Sequence, residues 1–255
     1  RRAGELVVDS LDDDFSAFVF KIQANMNKAH RDRIAFMRIV SGRFDADKEV
    51  YHVQGGKKLR LSRPQQLMAA EREIIEEAYA GDIIGVFDPG IFSIGDTLCA
   101  PGKKFRFDPI PTFAPEHFKR VRSLDTMKRK QFLKGMEQIA QEGAIQIFKT
   151  PYTGMEEVIV GVVGTLQFDV LEYRLKNEYN VELYMEGLPY EYLRWIETDD
   201  GEPVKEEDLI LGTDVKLVED YKGNQLLLFG SQWAIGWTEE RNKNLTFHEF
   251  GGTKF

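Results

Sequence analysis

The segment RFDPIPTFAPE (106–116) constrains the fold of this 255-residue chain more than any other feature. Its three prolines cannot donate backbone hydrogen bonds and have a fixed φ, so neither a helix nor a central strand can run through it. Before the segment, apolar residues alternate with polar ones as in strands. After it, they recur every three to four residues as in helices. We therefore predict a linker between two domains, residues 1–110 and 111–255.

The first domain has the pattern of short strands separated by turn residues. The segments are SAFVFKIQA (16–24), RIAFMRIVS (33–41), KEVYHV (48–53), KKLRLS (57–62), GDIIGVF (81–87) and GDTLC (95–99). Strands at this spacing predict an all-β barrel or a sandwich. Strand 33–41 is apolar on both faces, which a barrel permits if its interior covers one face and a neighbouring domain covers the other. The composition of residues 64–81 is also compatible with a helix.

The second domain alternates strands and helices. The pattern predicts strands at 117–124, 144–148, 157–163 and 181–186, and helices at 125–143 and 166–179. Asp125 is the expected N-cap of the first helix, and Gly143 is its expected end. The order βαββαβ is the ferredoxin-like arrangement. The predicted fold class is therefore multidomain: an all-β barrel followed by an α+β ferredoxin-like domain with a C-terminal extension from about residue 197.

The net charge of −8 argues against a general nucleic-acid binder, but the charge is unevenly distributed. Residues 117–134 carry seven lysines and arginines against a single acid, whereas residues 197–220 carry ten acids. On the first predicted helix, Arg129, Lys130 and Lys134 project away from the apolar stripe. Two interpretations of this basic stretch stay open: a solvated charged face, and a face that binds RNA phosphates.

The chain lacks the motifs of nucleotide and metal sites. GGKK (55–58) does not have the frame of a P-loop, and no Asn-Lys-x-Asp motif is present. The four histidines lack metal-ligand spacing, and Cys99, the only cysteine, excludes an internal disulfide and a cysteine-based zinc site. We therefore predict no catalytic, cofactor-binding or metal-binding residue in this chain.

The remaining composition bears on the compartment. No run of about 18 uncharged apolar residues could span a membrane, and the amino terminus has no signal-peptide core. A single cysteine is typical of a reducing cytosol. Because the chain does not begin with methionine, we expect a fragment of a longer protein or a tag remnant. Four aromatic residues are assigned to packing rather than to base stacking: Phe132, Trp195, Trp233 and Trp237.

Four segments together resemble the family of bacterial peptide chain release factor 3. They are FSAFVFKIQANMNKAHRDRIAFMRIVSGRF, EEAYAGDIIGVFDPGIFSIGDTL, FAPEHFKRVRSLDTMKRKQFLKGMEQIAQEGAIQIF and GVVGTLQFDVLEYRLKNEYNVE. They match the second and third domains of that family, in order, from about residue 15 to 196. Elongation factor G has similar AGDI and GDTL strands, but GTLQFDV (164–170), FVFKIQANM and EGAIQ are particular to the release factor.

The resemblance implies a ribosome-binding, non-catalytic part of a GTP-dependent factor that promotes recycling of class I release factors in translation termination. It implies a missing amino-terminal GTPase domain that binds GTP and magnesium, with no cofactor in this chain. The expected partners are ribosomal RNA and proteins, that GTPase domain and, functionally, class I release factors. The expected location is the cytoplasm, with no membrane contact.

The resemblance also suggests which cations touch the ribosome. The candidates are Arg31, Arg33, Lys57 and Lys58 at the barrel rim, and Lys128, Arg129, Lys130 and Lys134 on the first helix. Three alternatives stay open: a fragment of an elongation-factor-G-like or ribosome-protection factor, a stand-alone barrel enzyme, and a protein-interaction module. The family implies a helix-rich tail, whereas residues 212–231 have the pattern of strands.

Overall fold

The computed structural model describes residues 1–24, 33–68, 71–151 and 157–249. The chain divides into two compact units. Of the described residues, unit 1 comprises Arg1–Ile110 with Gln141–Gly143, and unit 2 comprises Pro111–Ala140 with residues 144–249. Whether each predicted domain folds independently stays a prediction.

Unit 1 is built from strands. They are β1 (Arg2–Ala3), β2 (Leu6–Val7), β3 (Ser16–Ala24), β4 (Arg33–Ser41), β5 (Arg43–Asp45), β6 (Val50–His52), β7 (Lys57–Leu59), β8 (Ser62–Met68), β9 (Glu71–Ile74), β10 (Glu77–Tyr79), β11 (Ile83–Asp88) and β12 (Thr97–Cys99). Eight of them form one antiparallel sheet in the order β7-β6-β12-β3-β4-β11-β8-β9, and β5 pairs with β10 in a separate ribbon. Both sheets contribute to one hydrophobic core, as in a barrel.

The two faces of strand β4 differ in burial, and the coverage of its outer face by a neighbouring domain stays a prediction. Ala35, Met37 and Ile39 are buried in the core, and on the other face Phe36 is buried while Arg38 is exposed. The described residues of 64–81, whose composition is also compatible with a helix, instead form the end of β8 and all of β9 and β10. Strand pairing of β8 with both β9 and β11 satisfies the backbone there, so the helix interpretation is wrong.

Unit 2 has three helices and eight strands in its described part. In chain order they are β13 (His117–Ser123), α1 (Arg129–Gln141), β14 (Gln146–Lys149), β15 (Glu157–Val162), α2 (Leu166–Tyr179), β16 (Leu183–Gly187), β17 (Tyr192–Thr198), β18 (Val215–Asp220), β19 (Gln225–Phe229), α3 (Gln232–Arg241) and β20 (Leu245–His248). A 3₁₀ turn, Thr126–Lys128, leads into α1. Strands β16-β13-β15-β14 are adjacent in that order and all antiparallel. This confirms the ferredoxin-like arrangement and the predicted fold class.

The tail extends the same sheet. Strand β18 pairs with β14, and β19, β17 and β20 follow outward. Alternate residues of β19 belong to different cores: Leu226 and Leu228 pack with Phe148 and Trp195, whereas Leu227 packs against α3. Helices α1 and α2 cover a third core. It lies on the face of β13–β16 opposite to the face that carries Phe148. The continuous apolar run of β19 is therefore explained by burial on both faces.

No helix in the described part of the chain is long and apolar enough to cross a membrane.

Candidate functional site

The basic surface begins where α1 begins. The Asp125 carboxylate accepts a hydrogen bond from the Met127 amide at 2.9 Å and so caps the 3₁₀ turn, as the sequence predicts. The Ser123 hydroxyl in turn donates to the Asp125 carbonyl at 2.8 Å. Gly143, the predicted end of the helix, has φ +77°, a conformation that glycine adopts at little cost. These contacts fix the start and the end of the helix that carries the cations.

Three cations of α1 face solvent. Arg129, Lys130 and Lys134 are exposed, whereas Phe132 and Met136 of the same helix are buried. The exposed cations lie within about one turn of each other, so they form one surface. We call Arg129, Lys130 and Lys134 the basic triad. A cluster of exposed cations is chemically suited to phosphate oxygens or to carboxylates.

Lys128 differs from the triad, although it precedes it directly in sequence. Its side chain is half-buried, and Nζ donates to the Asn180 carbonyl oxygen at 2.7 Å. Asn180 is the C-cap of α2 and adopts the left-handed conformation, φ 56° and ψ 41°. A lysine at this carbonyl satisfies a helix end and complements its partial negative charge. The structure thus gives Lys128, a predicted ribosome contact, a partner inside unit 2.

The cations of β13 also have partners within unit 2. Arg120 Nη1 lies 3.2 Å from Glu186 Oε2 on the neighbouring strand. Lys119 Nζ lies 4.6 Å from the centre of the Phe168 ring, and the Arg122 guanidinium lies 4.6 Å from that of Tyr184. Such cross-strand and cation–π pairs contribute modestly to stability. The seven basic residues of 117–134 are therefore not one uniform surface.

The four predicted contacts at the barrel rim are placed differently from one another. Lys57 and Lys58 are exposed on β7, which terminates the sheet. Lysines on such a strand also discourage edge-to-edge aggregation. Arg33 is buried, with 6% of its surface exposed, and Nη2 lies 3.5 Å from Asp88 Oδ2. Arg33 is therefore not an exposed cation of this structure, because its charge faces an internal carboxylate. A ribosome contact through Arg33 stays a prediction. Arg31 lies outside the described residues.

Other polar groups have structural roles. Burial raises the pKa of the Cys99 thiol to about 11, so the thiol is protonated near neutral pH and is not activated as a nucleophile. His52 is buried and its Nε2 lies 2.8 Å from Asp96 Oδ2, a contact that joins β6 to the turn before β12. Within the described ranges, no group of three or more histidine, cysteine, aspartate or glutamate side chains could hold a metal ion.

One feature departs from the assignment of the aromatic residues to packing. Phe132 and Trp195 are buried, but Trp233 exposes 72% of its surface on α3. Trp237 lies one turn later, with the two ring centres 6.4 Å apart, and the Arg241 guanidinium lies 4.0 Å from the Trp237 ring centre. The spacing of four residues in QWAIGWTEER could have indicated this row, but only if α3 had been recognised as a helix.

Comparison with known families gives two matches that follow each other along the chain. Residues 14–101 match the model of elongation factor G domain 2, and residues 107–239 match that of the class II release factor RF3 C-terminal domain. The second match contains β18 and β19 and most of α3. The expectation of a helix-rich tail is therefore wrong, since the strands of the tail belong to the family's own domain.

Curated relatives named peptide chain release factor 3 match nearly the whole chain. The Symbiobacterium thermophilum protein is 55% identical over 97% of this chain and 46% of its own length. The Gloeobacter violaceus protein is 46% identical over 98% of the chain and 46% of its own length. A Listeria monocytogenes protein is 45% identical, covering 95% and 45% respectively. The chain thus spans somewhat less than half the length of these relatives.

A solved structure of a Thermus thermophilus protein supports the fold. It matches 82% of this chain and 31% of its own chain with a TM-score of 0.54 at 17% identity. A barrel of the elongation factor domain 2 type, followed by a release-factor domain with a basic surface, defines part of a translation factor. Because the C-terminal domain model matches more than half of the residues, the chain belongs to the class II release factor RF3 family.

Proposed function

We propose that this chain is the ribosome-binding, non-catalytic part of a GTP-dependent release factor that promotes recycling of class I release factors in translation termination. The observation that carries the proposal is the match of residues 107–239 to the class II release factor C-terminal domain. Relatives named peptide chain release factor 3, which match nearly the whole chain, support it. The exposed basic triad, Arg129, Lys130 and Lys134, supplies a surface on which ribosomal phosphates would be held.

The proposal assigns nucleotide chemistry to a domain outside this sequence. The longer relatives leave room for a GTPase domain that binds GTP and magnesium, and the chain itself contains no P-loop frame. The partners would be ribosomal RNA and proteins, that domain and, functionally, class I release factors, in the cytoplasm. Of the eight candidate contacts, Lys57, Lys58 and the basic triad remain in the proposal as exposed cations.

The alternative of an elongation-factor-G-like or ribosome-protection fragment draws support only from the barrel. The elongation factor G domain 2 model matches residues 14–101, whereas residues 107–239 match the release-factor domain. A translocation factor would share the first match but not the second. For this reason we favour termination over translocation.

The test uses the full-length factor on ribosomes that have released their peptide and hold a fluorescently labelled class I release factor. We expect GTP with the factor to accelerate dissociation of the label, and GDP not to do so. The 255-residue chain alone should neither accelerate dissociation nor give binding heat with GTP and magnesium. A full-length factor that instead accelerates translocation of a pre-translocation complex, with no effect on the labelled release factor, would support the alternative.

A further inference from the structure

The exposed face of α3 carries a row of side chains that no packing within the described part of the chain explains. Trp233, Trp237 and Arg241 occupy positions i, i+4 and i+8 of the helix. The opposite face is buried, with Ala234, Ile235 and Thr238 against the core. Trp233 exposes 72% of its surface. An indole so exposed is typical of protein-binding surfaces, where tryptophan and arginine carry much of the binding energy.

Gly236 lies between the two tryptophans and has no packing reason inside the described chain. A Cβ added at Gly236 would meet no atom within 4 Å, and its φ is not positive. Glycine in a helix interior is unfavourable relative to alanine, so the residue weakens α3 with no benefit to the fold of the described chain. A glycine does, however, let another backbone approach the helix closely beside the two rings.

The charge of the segment that carries the row favours a cationic partner. Between residues 197 and 249 the chain has thirteen acidic and five basic residues, a net charge of −8. Glu239 and Glu240 are exposed on α3 itself, and Asp214 stands at its amino end, where the Ser231 hydroxyl lies 3.4 Å from Oδ2. Such a field repels phosphates and attracts arginine and lysine. The indole face is also the best aromatic partner for a cation.

The Arg241–Trp237 contact shows that a guanidinium fits this surface, with its carbon 4.0 Å from the ring centre. Trp233, one turn earlier, offers a second indole, tilted by 39° to the first. A cationic side chain from a partner would stack there with the exposed carboxylates close by. We propose that the α3 face, formed by Trp233, Gly236, Trp237 and Glu240, is a docking site for an extended arginine- and lysine-rich protein segment.

This site is independent of the basic triad and goes beyond the proposed function. The triad would hold phosphate, whereas the α3 face would hold cations. If the α3 face does not bind such a segment, the proposed function is unaffected, because the GTP-dependent dissociation assay above tests it separately.

The experiment measures fluorescence anisotropy of labelled dodecapeptides with the 255-residue chain. The probes are an alternating Arg-Ala peptide, a Glu-Ala peptide and a twelve-nucleotide oligouridylate RNA. We expect the Arg-Ala peptide to bind to the unchanged chain. Trp233→Ala should lower the affinity for this peptide at least tenfold, and Trp233→Phe should give an intermediate affinity. Tyr173→Ala is the matched control, because Tyr173 is 63% exposed on α2, and it should bind as the unchanged chain does.

Gly236→Gln separates binding from folding. The substitution should maintain or raise the melting temperature, because glutamine favours a helix more than glycine does. It should nevertheless weaken binding of the Arg-Ala peptide at least fivefold, because its side chain would occupy the open surface beside the rings. The proposal is overturned if the Arg-Ala peptide does not bind at millimolar concentration, or binds equally to Trp233→Ala. It is also overturned by Trp233-dependent binding of the RNA in preference to the peptide, or by Trp233-dependent self-association in sedimentation.

Discussion

Unit 2 carries two regions of opposite charge, and one continuous sheet runs through both. Residues 117–134 have seven lysines and arginines against one acid, whereas residues 197–249 have thirteen acids against five basic residues. In the basic region, four of the seven cations have the partners described above inside the unit, and the basic triad lies exposed on α1. In the acidic region, the aromatic row of α3 stands among an excess of carboxylates. The average charge of the chain therefore describes neither surface.

Both surfaces can exist without unit 1 only if unit 2 is a domain in its own right. We expect separately expressed residues 1–110 and 112–255 each to give dispersed amide NMR spectra and a cooperative thermal transition. The linker prolines and the division of the chain at Ile110 motivate this. This is the largest effect at issue, because the outcome is folded or unfolded. An unfolded 112–255 piece would mean that neither surface exists without unit 1.

Core substitutions beneath each surface come next in size. Phe132 is buried under α1, and Leu227 is buried under α3. Phe132→Ala and Leu227→Ala should each lower the free energy of unfolding by about 2–5 kcal/mol. Urea unfolding followed by tryptophan fluorescence reports on unit 2 alone, since all three tryptophans lie there. If the ferredoxin-like part and the tail unfold as one cooperative domain, both variants shift the same single transition. Two separate transitions would show that the tail and the ferredoxin-like part unfold independently.

A smaller effect distinguishes Lys128 from the triad. Lys128→Met removes the hydrogen bond to the Asn180 carbonyl and should lower the free energy of unfolding by about 1 kcal/mol. Lys130→Met, a matched change at an exposed position two residues later, should change it by less than about 0.5 kcal/mol. Equal effects of the two substitutions on the urea midpoint would show that Lys128 belongs with the solvated cations after all.

The sequence predicted local periodic structure well and long-range placement poorly. The βαββαβ order and the Asp125 cap follow from spacing within a few residues. The tail could not be placed, because β18 joins a sheet edge formed some seventy residues earlier and β19 is buried on both faces, which removes any alternation. Residues 64–81 were compatible with a helix since their propensity is helical, and strand pairing overrode it.

The site was predictable in composition but not in detail. The basic stretch was visible in the sequence, yet nothing local indicated that Lys128 reaches the end of α2 or that Arg33 faces Asp88. Those partners are 52 and 55 residues away in sequence. The α3 row was missed for a related reason: an exposed tryptophan and a buried one have the same sequence signature unless the helix and its buried face are known.

We expect the basic triad, and not the acidic tail, to hold the ribosome's phosphates. The measurement is ribosome affinity of the full-length factor carrying Arg129→Glu, Lys130→Glu and Lys134→Glu, at about 50 and 200 mM salt. The matched control reverses three exposed lysines of the tail, Lys205, Lys222 and Lys243. We predict at least tenfold weaker binding for the triad variant at low salt, a smaller loss at high salt, and unchanged melting temperature, with the control within about twofold of the unchanged factor. Equal affinity of the two variants at both salts would contradict the account.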